Sequence, residues 1–285
     1  MTKDVKTTLC NERFHVMPAI TRINGSANLK QRKLHQTAIT LLFIIFLLSS
    51  CNFRESVSLL QVSDSFSLPQ QTEPTSPPSP IVIAKPKMFV DMEEMGLIDV
   101  RTLDAWIRVV LPYASSDNFT GQALYECSQY AYLQPDVAAM LAKASQLLRK
   151  KYPKYRLLVL DAARPLSVQQ KMWNAVKGTP NNIYVANPSK TGMHNYGAAV
   201  DVTITDDYGV ELDMGTPFDF FGSEAQPAKE KEMLKQGKLT QQQLDNRQLL
   251  RNSMNQAGFQ TYYREWWHFN ACTLAEAKRK YKVIP

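Results

Sequence analysis

Residues 198–204 read Ala-Ala-Val-Asp-Val-Thr-Ile, a run with the apolar, β-branched character of a buried strand. One residue breaks the pattern: Asp201. An unpaired carboxylate in such a strand costs several kcal/mol, so the fold must bring a cation or a metal ion to it. That demand limits the chain to folds that deliver a partner to the middle of a sheet. The nearest candidate in sequence is His194, seven residues upstream.

Histidine is scarce in this chain. Of four, His15 and His35 fall in an N-terminal segment set apart below, leaving His194 and His268. His268 closes the tetrapeptide Glu265-Trp266-Trp267-His268, so each remaining histidine stands near a carboxylate. A catalytic zinc takes three protein ligands of histidine and carboxylate type and leaves a fourth position for water. His194, Asp201 and His268 supply such a set, and Zn2+, one per domain, would compensate the Asp201 charge. Glu265 is then a spare carboxylate beside a ligand, placed to accept a proton from the attacking water. Strand residues three apart point to opposite faces, so this role requires a bulge or a strand end at 265–268. The alternative for Glu265 and His268 is a surface salt bridge beside a tryptophan pair.

The net charge of +7 is concentrated at one end. Residues 1–50 carry seven basic and two acidic side chains, leaving +2 for the other 235 residues and no nucleic-acid footprint there. Residues 38–48, AITLLFIIFLL, form an apolar run behind Lys30, Arg32 and Lys33. The run is shorter than the ~20 residues of a spanning helix and has the proportions of a signal-peptide core. It ends in Leu48-Ser49-Ser50-Cys51, which resembles a lipoprotein lipobox; an ordinary cleaved signal or an uncleaved anchor is the alternative. Residues 61–87 contain six prolines among many Ser, Thr and Gln, the composition of an extended tether. The expected organisation is a signal peptide over 1–50, a lipid-anchored linker over 51–87 and a folded domain over 88–285. The protein is expected outside the cytoplasmic membrane, held to it by lipid on Cys51. There Cys127 and Cys272 either form a disulfide or remain buried thiols.

Within 88–285, apolar spacing predicts a helix over 135–150, and residues 156–160 read as a buried strand. Ser167 is expected to cap a helix reaching Val176. A strand over 198–205 follows, then a polar helical stretch from about Pro227 to Ala257, ended by Gly258. An interrupted aromatic strand over 259–269 and a helix over 273–280 complete the chain. Helices and strands do not alternate in crossover units, which predicts an α+β class.

The segments MHNYGAAVDVT and EWWHF resemble the two metal motifs of the zinc D-alanyl-D-alanine dipeptidases, the group that includes the vancomycin-resistance dipeptidases. SSDNFTG (115–121), LDAARP (160–165) and MGTPFDFF (214–221) are similar to further blocks of that family, in family order. The resemblance implies a small, mostly antiparallel sheet flanked by helices, with the zinc site on the sheet, as in hedgehog and D,D-peptidase domains. It implies His194, Asp201 and His268 as metal ligands and Glu265 as catalytic base. Arg164 would stabilise the oxyanion, a role suited to a permanently charged guanidinium, or else form only a salt bridge to Asp161. Asp219 would hold the substrate's free amine, or else serve as a turn or cap, and Asp161 would assist substrate binding. The expected function is hydrolysis of D-Ala-D-Ala in cell-wall salvage or turnover. The rivals are a D,D-carboxypeptidase acting on longer wall peptides and a non-catalytic, zinc-stabilised wall-binding module.

Overall fold

A computed structural model of the chain describes residues 84–285. The expected signal peptide, Cys51 and nearly all of the linker lie outside the described residues. Among those described, no helix is long and apolar enough to cross a membrane.

The strand carrying Asp201, β5 (Ala199–Thr205), is buried at all seven positions and lies at the centre of a five-stranded sheet. It pairs antiparallel with β4 (Arg156–Asp161) on one side and with β7 (His268–Asn270) on the other. β2 (Arg108–Val109) extends the sheet parallel to β4, and β6 (Gln260–Thr261) closes the far edge antiparallel to β7. A second, two-stranded antiparallel sheet joins β1 (Ile98–Asp99) and β3 (Tyr132–Leu133). The architecture is α+β and mostly antiparallel, as expected.

Side chains of a strand alternate between faces, which explains how β5 carries both core and chemistry. Val200, Val202 and Ile204 join the main hydrophobic core, while Asp201, Thr203 and Thr205 share the opposite face. Packed into that core is α2 (Pro135–Lys151), through Val137, Ala138, Leu141, Ala144 and Leu148. Its ends fit the helix dipole, with Pro135 and Asp136 at the start and Arg149, Lys150 and Lys151 at the end. α5 (Gln241–Ala257) contributes Leu250, Met254 and Ala257 to the same core. α1 (Lys87–Glu94) seals a smaller cluster through Phe89 and Met92.

Three expectations are corrected, and one open alternative is decided. The polar stretch 227–257 is two helices, α4 (Glu230–Lys235) and α5, because Gly237 takes φ +69° and Thr240 opens α5 with a capping box to Gln243. Ser167 lies inside α3 (Leu166–Val176) and does not cap it; the cap position is Pro165, and the Leu166 N–H instead donates to the Ile284 carbonyl. The aromatic stretch 259–269 yields two short strands, β6 and β7, on either side of a loop over 262–267. Cys272, next to α6 (Leu274–Lys280), is a free thiol, so it forms no disulfide with Cys127.

Candidate active site

Three strands and one turn deliver the polar groups to one place. In the β5–β7 ladder Asp201 stands directly opposite His268, with Asp201 Oδ1 2.9 Å from His268 Nδ1. His194 lies in a short 3-10 turn, Met193–Tyr196, closed by Gly197 in the left-handed conformation at φ +63°. A Cβ at Gly197 would meet Leu97 at 3.0 Å and the Gln134 nitrogen at 3.3 Å, so the turn into β5 is tight as well as left-handed. That turn brings His194 Nε2 to 3.4 Å from Asp201 Oδ1 and 3.1 Å from His268 Nδ1.

The outward nitrogens fix which ring atoms face inward. His194 Nδ1 donates to the Ala162 carbonyl at 2.6 Å, and His268 Nε2 donates to Asn270 Oδ1 at 2.8 Å. Each imidazole therefore turns a lone pair toward Asp201. Three acceptor atoms within 4.8 Å of one another, on buried side chains, form a group able to hold a metal ion. Without a cation their lone pairs repel unless a proton is shared, so the donor set fits a metal. Burial works to raise the Asp201 pKa, but positive charge carried by His194 and His268 outweighs it and holds the carboxyl well below its usual range, and a metal cation among the three atoms acts in the same direction.

Around this cluster lies a cavity of about 250 Å³, lined among others by Arg164, Asp219, Glu265 and Tyr113. Glu265 falls in the loop just before β7, so it escapes strand alternation as the motif required, and its Oε2 lies 3.9 Å from His268 Nδ1. Burial, together with the charges of Asp201 and Asp219, raises its pKa to about 8. A cation in the adjacent cluster favours the ionised form and works against that rise.

Arg164 follows β4 and makes the salt bridge to Asp161 while remaining at the cavity wall. It forms an ion pair with Asp161 through Nε, at 2.7 Å, and Nη2, donates from Nη1 to Gln169 at 2.9 Å, and still lines the cavity. Asp161 itself is fully buried and does not line the cavity. It accepts from Tyr125 at 2.8 Å and holds Arg164 from behind.

Asp219 occupies a turn at φ +60°, a conformation aspartate tolerates better than most residues, and lines the cavity. Tyr113 donates to its Oδ2 at 2.7 Å. Burial and the Asp201 charge push the Asp219 carboxyl up to about 7, against the Tyr113 hydrogen bond. Burial also pushes the Tyr113 and Tyr125 phenols far above their ordinary value, so both act as O–H donors. Tyr113, Tyr125, Gln169 and Asn270 were not anticipated from the sequence. Tyr113 precedes the SSDNFTG block by two residues and Asn270 follows the EWWHF block directly, so adjacency was the available signal for those two.

A mixed α+β domain with a two-histidine, one-aspartate metal cluster and a free carboxylate beside it defines a class, the metal-dependent hydrolases. The sequence model of the D-ala-D-ala dipeptidase family matches residues 93–284, and the chain belongs to that family. It is 31% identical over 180 residues to the D-alanyl-D-alanine dipeptidase of Escherichia coli (strain K12), covering 61% of this chain and 83% of that protein. It is 31% identical over 190 residues to the Synechocystis protein of the same name, covering 56% and 74% respectively. For the Enterococcus faecium D-alanyl-D-alanine dipeptidase the identity is 28% over 194 residues, covering 62% and 91%.

Proposed function

We propose that this domain hydrolyses the D-Ala-D-Ala dipeptide with the aid of one zinc ion held by His194, Asp201 and His268. The observation that carries the substrate is Asp219, a Tyr113-anchored carboxylate in the same small cavity as the metal cluster. A cavity of about 250 Å³ falls below the roughly 300–1,000 Å³ of drug-sized pockets, which suits a short substrate.

Zinc bonds of ~2.0–2.1 Å at tetrahedral angles set ligand atoms about 3.3 Å apart. The separations of 2.9, 3.1 and 3.4 Å within the cluster agree with that spacing. When bound, zinc polarises the scissile carbonyl and makes water a stronger acid. The rest falls to the chain's own groups. Asp219 binds the substrate ammonium and sets the distance to the scissile bond. Glu265 takes a proton from the attacking water and passes it to the leaving amine nitrogen. Arg164, held by Asp161 and Gln169, faces the carbonyl oxygen as negative charge develops there. The enzyme acts outside the cytoplasmic membrane, tethered by lipid on Cys51, and serves salvage or wall turnover because it meets dipeptide there.

The test compares D-Ala-D-Ala, its N-acetyl derivative and a longer wall peptide on the purified domain. Turnover of the free dipeptide with little of the other two supports the proposal. Comparable turnover of the acetylated or longer substrates points to a D,D-carboxypeptidase, and no turnover of any points to a binding module.

A further inference from the structure

Asn270 stands two residues after His268 on β7, so both side chains project from one face of the strand. Its Oδ1 accepts from His268 Nε2 at 2.8 Å, and the residue also lines the cavity. With a metal ion taking the Nδ1 lone pair of His268, Nε2 carries the hydrogen and the Asn270 oxygen faces it. The Asn270 NH2 group is then held in the opposite sense, and among the described residues it has no hydrogen-bond partner.

The cavity is lined by two side-chain amides, and they differ in this respect. Gln169 has both ends of its amide engaged, accepting from Arg164 and donating from Nε2 to the Ala186 carbonyl at 2.8 Å. Asn270 keeps both N–H bonds free. Arg164 is the sole cationic lysine or arginine lining the cavity, and it is engaged by Asp161 and Gln169. A dipeptide zwitterion whose amine sits at Asp219 still brings a carboxylate into a space that contains Asp201 and Glu265. That group needs a donor, and an amide N–H to a carboxylate is a charge-assisted hydrogen bond.

Resting on the proposed dipeptidase activity, we propose that Asn270 serves two partners: its Oδ1 fixes the His268 tautomer, and its Nδ2 binds the carboxylate of the substrate's second residue. Asn270→Asp separates the two, since a carboxylate still accepts from His268 Nε2 but repels the substrate. Asn270→Leu removes both functions.

Three quantities are measured on the full chain with zinc and D-Ala-D-Ala. They are zinc affinity by competition with a chelator, the His268 imidazole nitrogen shifts in the zinc-bound protein, and kcat/KM for D-Ala-D-Ala against its C-terminal amide. The wild type is expected to prefer the free carboxylate. Asn270→Asp is expected to keep the tautomer and the zinc affinity while losing that preference by about tenfold or more. Asn270→Leu is expected to lose roughly 10–100-fold in zinc affinity and to shift the imidazole signals. An Asn270→Asp variant with the wild-type preference overturns the carboxylate contact. An Asn270→Leu variant with wild-type zinc affinity and shifts overturns the positioning role. If the wild type cleaves neither dipeptide, the dipeptidase reading fails and takes the carboxylate contact with it, while the zinc and nitrogen measurements still decide the His268 contact.

Discussion

Asp201 and His268 face each other residue for residue across the β5–β7 ladder, with Oδ1 2.9 Å from Nδ1. The sheet register alone therefore sets two of the three atoms of the metal cluster. Asp201→Asn is expected to cut zinc affinity severely, because a neutral amide replaces the only anionic ligand. His194→Ala is expected to do the same by removing the third. Elemental analysis of the purified variants checks both, and full zinc occupancy in either contradicts the three-residue cluster.

Tyr125→Phe probes the support behind Arg164. The Tyr125 hydroxyl donates to Asp161 Oδ1 at 2.8 Å in a fully buried setting. Its loss leaves a buried carboxylate short of a donor and is expected to cost about 1–3 kcal/mol of stability. With Arg164 less firmly held, kcat should fall while KM changes little. Thermal melts and steady-state kinetics test the pair, and unchanged values for both would remove Tyr125 from the network.

The cluster was readable in the sequence for a physical reason. A carboxylate in an otherwise apolar strand and two scarce histidines each demand an explanation, and one metal answers all three. The strand end required at Glu265 also followed from strand alternation. Tyr125 was not readable, because its role comes from Asp161, 36 residues away, which the fold brings up to it, whereas Asn270 stood beside the histidine motif with nothing in its residue type to single it out. β1, β2 and β3 have two residues each, too short to show any periodicity. The break between α4 and α5 was hidden by uniform polarity across 227–257, although Gly237 and the Thr240-Gln243 capping pair marked it.

Acid–base linkage gives a prediction for the metal-free domain. Glu265 rises from 4.5 to about 8, and Asp219 from 3.8 to about 7, both chiefly through burial. Between the ordinary and the raised values the folded state binds more protons than the unfolded one. Stability of the metal-free protein should therefore fall as pH rises from about 4 to 8. Urea unfolding at several pH values tests the sign, and zinc should flatten the trend by favouring the Glu265 anion. A stability that climbs through this window contradicts the placement of these two carboxylates.

Lipid attachment is tested separately from chemistry. Cys51→Ser in the full chain is expected to abolish fatty-acid labelling and leave the precursor unprocessed. Unchanged labelling in that variant contradicts the tether.

In the proposed mechanism Glu265 moves the proton and does not hold the metal. Glu265→Gln keeps the size of the side chain and removes the base, so the decisive measurement is single-turnover cleavage of D-Ala-D-Ala alongside zinc analysis of the same sample. General acid–base catalysis contributes roughly 10²–10⁴-fold, and cleavage should fall by about that factor or more with zinc still stoichiometric. Near wild-type cleavage would contradict the account outright, and loss of zinc together with activity would make Glu265 a ligand and redraw the site.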